Sequence, residues 1–351
     1  MATPTGPERR FLAAGLKKGA VWGTAVTLGA GNGLNCKAMS GFNPSRDLLV
    51  AEEVDSPLPK SGALNVYKPV DFSVVSDFLY SPGALGVGVA SLFGVAGEPE
   101  TVDTTGKKHT FQWGDGISGK FVTVDVEFPG KIYECKSGKV MEWDIKCASG
   151  GFLQSELKLR GNKIVDDSGV NGDTQMDALT YDERDNYVRF EEVEVMMNAE
   201  SDDELGSSDK IYVSEFEVSY KRQGFDTVYQ SGKDYIEEPA EGGYPEIKIK
   251  LKFPHFGADN KEYLAKAVAG QTQKMMIKFM SSALAGSATE PYSLTLYFPR
   301  LRVLMPEASW DEIVSLGLEL VAEESGSAPT GMSYSRPYVE LVNKRSGDYL
   351  G

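Results

Sequence analysis

Residue types that could do catalytic or metal chemistry are few in this sequence of 351 residues. It contains two histidines, His109 and His255, and three cysteines, Cys36, Cys135 and Cys147. Neither histidine has further ligands at the spacing of a zinc site, and no activating motif surrounds Cys135 as a nucleophile. Three cysteines cannot form a disulfide framework. Cys135 and Cys147 could face each other across a hairpin, but the pattern favours reduced thiols.

Two kinds of loop motif suggest ligand chemistry without completing it. The Asp-rich segment DDSGVNGD (166–173) offers oxygen ligands for calcium, but their order misses the spacing of an EF-hand loop. The glycine-rich segments GAGNG (29–33) and GALGVG (83–88) lack the Lys and the Ser or Thr of a phosphate loop. We therefore expect a surface loop and backbone turns, no metal and no cofactor. A structural or binding protein is favoured over an enzyme.

The overall charge argues against some kinds of binding partner. The chain carries 51 acidic and 36 basic residues, a net charge of −15. This charge repels nucleic acids and anionic membranes at long range, so it argues against sequence-specific nucleic-acid recognition. Basic residues before the apolar segment 20–36 imitate a secretion signal, but glycines and threonines interrupt that segment. We therefore expect no signal peptide.

The segment FLYSPGALGVGVASLFGVAG (78–97) has no charged residue and is long enough to cross a membrane. Its glycines, serines and proline make it weakly hydrophobic and a poor helix former over its full length, and no basic flank orients it. We expect burial against protein, with a short helix within residues 83–94, and no membrane span.

Alternation of apolar and polar residues is the strongest periodic signal of the chain. Period two with β-branched and aromatic residues predicts strands with one buried and one solvated face, as in antiparallel sheets. The sequence therefore predicts a mainly β protein built of sandwiches or barrels. Ten segments alternate in this way: 121–128, 139–146, 152–159, 188–197, 211–220, 247–253, 275–280, 292–298, 316–321 and 338–342.

Helix signals are sparse, and composition suggests how the chain is divided. The best helix is predicted over residues 258–270, and ASWDEIVS (308–315) resembles a helical turn. A polar stretch near residues 165–184 has the composition of a domain junction. We predict an extended N-terminal arm (1–45), a first β domain (46–170) and a second β domain (171–351). A weak repeat between 139–161 and 213–253 agrees with that division.

The order of these elements, over about residues 45–345, resembles the major tail tube proteins of long-tailed bacteriophages. The second half carries most of the resemblance, and HTFQW (109–113) with residues 121–161 resembles the family's first-domain core. The matching segments of the second half are SEFEVSY (214–220), YPEIKIKLKF (244–253), NKEYLAKAVAG (260–270), KMMIKFM (274–280), YSLTLYFPRLRV (292–303) and YVELVN (338–343).

The resemblance implies a non-enzymatic virion subunit. Its expected fold is two tandem antiparallel β-sandwich or barrel domains of tail-tube type, with a short flanking helix, an N-terminal arm and a long inter-ring loop. Trimeric or hexameric rings would stack into a hollow tube that houses the tape-measure protein. The tube would pass double-stranded DNA without specific binding and would meet terminator and baseplate proteins. No cofactor and no membrane are implied.

Four sets of residues are candidates for the surfaces of such a subunit. The basic arm is expected to contact the acidic stretch 191–209 of a neighbour, and the apolar segment is expected to pack at a domain or subunit junction. A Val89→Asp change should then block assembly more than folding. The inter-subunit candidates are Arg9, Arg10, Lys17, Lys18, Leu85, Val89, Leu92, Phe93, Tyr229 and Tyr235, the tyrosines from the long loop within 225–245; the lumen or solvent-face candidates are Glu142, Asp144, Glu215 and Glu217.

Two other functions stay open at this point. One is another β-type virion protein, such as a decoration protein, a tail terminator or a baseplate hub. The other is a carbohydrate-binding β-sandwich, with or without glycosidase activity. An exposed aromatic platform would favour carbohydrate binding.

Overall fold

The computed structural model describes residues 13–49, 64–182, 186–229, 231–254, 269–286, 289–304, 307–309 and 315–351, together with residues 262, 265 and 266. Strands make up 45% of the chain and helices 9%, which confirms the mainly β expectation. The helix predicted over residues 258–270 lies mostly outside the described residues. Of the helical turn predicted over residues 308–315, Ala308, Ser309 and Ser315 belong to strands, and the residues between them lie outside the described residues.

Each of the ten alternating segments contains a strand, although in 188–197 the strand begins only at Val193 and in 211–220 residues 212–214 lie between two strands. The structure adds other strands. Two α-helices are described over their full length, α1 (Gly83–Phe93) and α2 (Asp173–Asp177); two short 3-10 helices, Phe190–Glu192 and Ser207–Asp209, and residues 262, 265 and 266 are also helical. The strands are β1 (Ala13–Lys18), β2 (Ala38–Ser40), β3 (Arg46–Leu49), β4 (Leu64–Tyr67), β5 (Val70–Asp77), β6 (Pro99–Thr101), β7 (Lys107–Gln112), β8 (Val122–Phe128), β9 (Lys131–Ala148), β10 (Gln154–Gly161), β11 (Ile164–Val165), β12 (Val193–Ala199), β13 (Lys210–Ile211), β14 (Glu215–Lys221), β15 (Glu246–Phe253), β16 (Thr272–Leu284), β17 (Pro291–Val303), β18 (Glu307–Ser309), β19 (Ser315–Glu323) and β20 (Tyr338–Asn343).

Two long strands join the parts of one large antiparallel sheet. The first half of β9 pairs with β8, and its second half pairs with β10 on one side and β14 on the other. The sheet continues from β14 through β15 and β19 to the second half of β17. The first half of β17 lies between β16 and β20, which lead to β12 and β7. Since β9 pairs directly with β14, the sheet runs across the boundary predicted at residue 170, and the division into two domains stays a prediction.

The core follows from the alternation within the strands. In β15, Ile247, Ile249 and Leu251 are buried while the lysines between them face outward. The buried apolar side chains of the described residues form a main cluster that extends from Ala14 to Tyr349. At its centre the rings of Trp143 and Tyr220 stack with their centroids 5.3 Å apart.

Helix α1 lies inside this core, as expected from its uncharged sequence. All eleven of its residues are buried. The helix uses glycine where neighbours approach closely, because a Cβ atom on Gly86 would lie 2.3 Å from Cε1 of Tyr349, and one on Gly88 would lie 2.5 Å from Cδ1 of Leu157. None of the described helices is long and apolar enough to span a membrane.

Charged residues from distant parts of the chain lie at both ends of α1. At the first turn, the carboxylate of Asp182 lies so close that a Cβ atom on Gly83 would fall 1.8 Å from its Oδ2 atom. At the last turn, Arg222 donates hydrogen bonds to the carbonyl oxygens of Leu92 and Phe93. Because a helix has a negative C-terminus, the charge of Arg222 has the stabilising sign, whereas burial raises the pKa of Asp182 to about 6 and disfavours its charge.

The N-terminal segment is part of the sheet rather than an arm over its described portion. Strand β1 pairs with β8, and Ala14 and Leu16 are buried. Its other side is bonded by residues 32–34, through Leu16 N–H to Asn32 and Leu34 N–H to Ala14. The expectation of an extended arm over residues 13–18 is therefore wrong, because these apolar residues complete the sheet.

Candidate functional site

A two-stranded ribbon, β3–β4, stands apart from the large sheet. Its register pairs Arg46 with Tyr67 and Leu49 with Leu64. Among the described residues, these two strands pair only with each other. An isolated hairpin is marginally stable in water, so a surface that covers the ribbon would stabilise it. This ribbon is one candidate contact with another subunit, and the sequence analysis did not single it out.

The outer edges of the large sheet are short. Within the described part of the chain, five outermost strands, β2, β6, β11, β13 and β18, have two or three residues each, and the sixth, β1, has six residues and is bonded on its outer side by residues 32–34. Short edge strands prevent uncontrolled pairing with other chains. Extended strand addition along these edges is therefore a poor route to assembly.

The four carboxylates predicted for a lumen or solvent face do lie on one outward face of β9 and β14, but lysines accompany them. Lys158 Nζ lies 2.6 Å from Glu142 and 2.7 Å from Asp144, and Lys250 Nζ lies 3.6 Å from Glu217. Lys252 is the register partner of Glu215. The face is therefore of mixed charge, and it does not account for the net charge of the chain.

The four apolar candidates of α1 lie in the chain's own core. Leu85, Val89, Leu92 and Phe93 are each no more than 4% exposed. The ring of Phe93 contacts Trp113 at 5.2 Å between centroids. The cover that the sequence analysis sought in a domain or subunit junction is thus given by residues of the same chain.

The basic candidates fall into two groups. Arg9 and Arg10 lie outside the described residues. Lys17 donates a hydrogen bond to the carbonyl oxygen of Thr27, and Lys18 to that of Gly19. Burial, followed by the charge of Lys120, lowers the pKa of Lys18. Both lysines are therefore anchored near the sheet and are not parts of a free arm.

The 225–245 loop, predicted to join successive rings, is anchored to its own chain. The buried ammonium of Lys139 pairs with Glu238, which also accepts a 2.7 Å hydrogen bond from the N–H group of Gly119. Lys163 pairs with Asp234 at 2.6 Å, and Ile236 is fully buried. Most of this loop therefore packs over the core of its own chain and does not extend toward a neighbouring subunit.

The two tyrosine candidates of the 225–245 loop differ in accessibility. Tyr235 packs on Gly23, where a Cβ atom would lie 2.6 Å from Cζ of the ring. Tyr229 is 50% exposed and its neighbour Val228 is 43% exposed. Of the two, Tyr229 is the one accessible to a partner.

The acidic stretch within residues 191–209 has partners in its own chain. Glu192 accepts a 2.8 Å hydrogen bond from Tyr80, and Glu200 accepts from Thr272 and Ser325. The buried Lys274 donates to the carbonyl oxygen of Asp202 at 2.7 Å. These contacts hold the stretch against the sheet and use part of the charge proposed for a neighbour's arm.

Two aromatic side chains line a groove beside β12 and β13. Tyr212 is 82% exposed and lines the groove together with Phe190. Two further aromatic rings, those of Phe152 and Tyr187, have centroids 5.1 Å apart, and Phe152 is 43% exposed. An aromatic surface of this kind can stack on a sugar ring or on another protein.

Two buried carboxylates form the main polar cluster that the sequence analysis missed. Asp125 and Glu134 face each other in the register of β8 and β9, and both are fully buried. Alternation in FVTVDVEF predicts that Asp125 faces solvent, but the segment 166–173 covers it. Asn171 of that segment donates from Nδ2 to Asp125 at 2.9 Å and to Glu134 at 3.4 Å.

The remaining chemically active side chains do not converge. Both ring nitrogens of His109 lie at carbonyl oxygens, of Gly97 at 2.7 Å and Arg345 at 3.1 Å, so the ring is a packed core residue. His255 lies outside the described residues. Burial raises the pKa of Cys36 and Cys147 to about 12, which keeps them as thiols. Within the described ranges, no three His, Cys, Asp or Glu side chains form a metal-binding group.

The fold and these surfaces define a mainly β protein whose sheet encloses a buried helix and leaves one ribbon unpaired. No protein-family model matches the chain, and no curated protein matches it significantly.

Proposed function

We propose that this protein is a structural virion subunit that polymerises into stacked rings and forms the hollow tail tube of a bacteriophage. The proposal rests on the resemblance in the order of elements, and the mainly β antiparallel fold agrees with it. The two tandem tail-tube domains belong to the proposal. With two such domains per chain, three copies would complete a ring of sixfold pseudo-symmetry; with one composite domain, six copies would be needed.

The observation that carries the proposal is the separate ribbon β3–β4. It leaves the large sheet after residue 45 and returns before Val70, and its backbone pairs with no other described strand. The sequence from the end of β3 to β4 includes apolar residues, LLVAEEVDSPLPKSGALNV over 48–66. A two-stranded ribbon without further strand partners gains stability from a neighbouring surface. We assign the contact between rings to this ribbon, in addition to the tip of the 225–245 loop at Tyr229.

The charge of the chain fits the passage of DNA. A net charge of −15 per subunit makes the tube electronegative, and a negative wall repels phosphates so that DNA does not adhere. The mixed charge around Glu142 and Glu217 means that repulsion would come from the whole subunit rather than from that face alone. Tape-measure, terminator and baseplate proteins are the expected protein partners.

Electron microscopy of the purified chain tests the proposal. Long hollow tubes are expected from the wild type, and only monomers or single rings after residues 46–67 are replaced by a short Gly-Ser linker. The control is Met280→Ser, which changes a side chain that is 44% exposed and lies outside both the ribbon and the 225–245 loop. Discrete rings or monomers from the wild type would instead favour a terminator, hub or decoration protein.

A second candidate function is carbohydrate binding, which the exposed aromatic groove favours. Phe152 and Tyr212 present open ring surfaces, and aromatic rings stack on the apolar faces of sugars. A glycan array with the wild type and a Tyr212→Ala variant tests it. Binding that Tyr212→Ala abolishes would support this function, and no binding to any glycan would exclude it.

A further inference from the structure

We propose that Asp125 and Glu134 hold a divalent cation of the calcium class behind the 166–173 segment. This inference is independent of the proposed assembly function. It rests on the geometry of two carboxylates that are fully buried on neighbouring strands.

The hydrogen bonds of the pair satisfy only half of its oxygens. Asp125 Oδ2 accepts from Asn171 Nδ2, and Glu134 Oε2 accepts from Asn171 and from the hydroxyl of Ser168. Asp125 Oδ1 and Glu134 Oε1 are buried and accept no hydrogen bond from any described residue. Two carboxylate oxygens are thus left for a ligand that the protein itself does not provide.

A buried pair of carboxylates is unfavourable without a positive charge. Burial and the neighbouring Glu134 raise the pKa of Asp125 well above its ordinary value, and Asn171 opposes the rise only by a hydrogen bond. The cost of burying uncompensated charges is several kcal/mol per ion. A proton or a metal cation must offset it.

A cation fits the observed arrangement better than a shared proton. Asp125 and Glu134 are coupled through their charges, but no hydrogen bond joins them. A shared proton requires such a bond, and a proton on Asp125 alone would leave its O–H group without an acceptor, because Oδ1 has no hydrogen-bond partner among the described residues and Oδ2 already accepts from Asn171. A calcium ion bridges carboxylates at about 2.3–2.6 Å from each oxygen and completes its shell with hydroxyl groups, carbonyls or water.

The surroundings supply a route and an electrostatic attraction. Ser168 and Asn171 line an open cleft whose rim also carries Lys131 and five acidic side chains. Such a rim raises the local concentration of cations. The rim acids are Glu127, Asp166, Asp167, Asp173 and Asp177.

The donor atoms also select the class of metal. Carboxylates and hydroxyl groups are hard oxygen ligands, which suit calcium or magnesium rather than copper or zinc. The nearby Cys135 is fully buried, and burial raises the pKa of its thiol, so it does not offer a thiolate.

Calcium titration of the full chain, after purification in EDTA, tests the proposal. We expect calorimetry to detect one site and millimolar calcium to raise the Tm of the wild type. Asp125→Asn and Glu134→Gln should each lose affinity by about tenfold or more, because each removes a charged ligand. The control Glu127→Gln, on the same strand and at the rim of the cleft, should bind with nearly wild-type affinity.

Three outcomes would overturn the proposal. One is a wild type that neither binds calcium nor gains Tm. Another is a calcium effect that persists in Asp125→Asn, which would move the site to the rim. The third is a Tm of the wild type in EDTA that rises as the pH is lowered, together with no effect of calcium. This measurement needs no variant, so it applies even if both variants fail to fold. That result would assign a proton to the pair.

Discussion

The Nε–H group of Arg222 donates a 2.7 Å hydrogen bond to the carbonyl oxygen of Leu92, which lies 130 residues earlier in the chain. The same guanidinium donates to Gly114 at 2.9 Å, pairs with Glu241 and lies over the ring of Trp113. Leu92 is in the last turn of α1, where carbonyl oxygens have no partner within the helix. One side chain therefore joins the end of the buried helix, the strand β14 and the 225–245 loop.

Replacement of Arg222 by methionine should lower the free energy of unfolding by about 3 kcal/mol, because it leaves buried carbonyl oxygens and Glu241 without their donor. Urea denaturation followed by circular dichroism measures the loss. The adjacent Lys221→Met is the control, since its side chain is 46% exposed, and it should change little. Equal losses in the two variants would contradict the capping role of Arg222.

Val89→Asp is expected to prevent folding of the subunit rather than assembly alone. Val89 is 2% exposed inside α1, and a buried unpaired carboxylate costs more than about 4 kcal/mol. The soluble yield and the thermal transition of the purified variant measure the effect. Val228→Asp, at a side chain that is 43% exposed, should fold normally. If Val89→Asp gives a monomer that unfolds cooperatively and only fails to polymerise, then the expectation from the sequence, a block of assembly rather than of folding, is right.

Glu238→Gln should release the 225–245 loop from the core. The variant leaves the ammonium of Lys139, whose side chain is 1% exposed, without its counter-ion, which costs about 3 kcal/mol. We expect faster proteolysis within the loop, identified by mass spectrometry of the fragments, and a lower midpoint in urea. Glu237→Gln, one residue earlier, is the control. The prediction fails if the two variants are cleaved at the same rate.

The pH dependence of stability should report on Asp182. Burial raises its pKa to about 6, whereas an unfolded chain gives about 3.9. Because the folded state holds this proton more tightly, the contribution of the group is complete below about pH 3.9 and is lost as the pH rises through about 6. Asp182→Asn should therefore gain about 1–2 kcal/mol relative to the wild type between about pH 4 and pH 7.

Thermal unfolding of Asp182→Asn and of the wild type across this pH range makes that measurement. The exposed Asp203→Asn serves as the control, and its difference from the wild type should stay constant with pH. A difference for Asp182→Asn that does not change with pH would mean that the carboxylate is ionised at the first turn of α1 in the folded state.

Sequence pattern predicted the strands well wherever one face meets the core and the other meets water. It failed where both faces are covered. Asp125 lies at a position that alternation assigns to solvent, yet the 166–173 segment packs over it from another part of the chain. Strand β5 (Val70–Asp77) was missed because apolar and polar residues do not alternate strictly along VDFSVVSD.

The candidate surfaces were harder to predict than the strands. The charges of Glu142 and Glu217 are visible in the sequence, but the lysines that face them come from other strands. The order of strands in a sheet cannot be predicted from the local pattern of residues. The burial of Leu85 and Phe93 was visible, whereas the identity of their cover was not. The cover of Phe93 includes the ring of Tyr220, 127 residues later in the chain.

The completion of α1 by Arg222 has a consequence for synthesis of the protein. Ribosomes add about 5–20 residues per second, so about ten seconds separate the synthesis of Leu92 from that of Arg222, 130 residues later. During this interval the nascent chain carries an uncharged segment of twenty residues, 78–97, without the partners that close its helix. We expect this segment to be a binding site for ribosome-associated chaperones, and the first half of the chain to wait for the second before it folds.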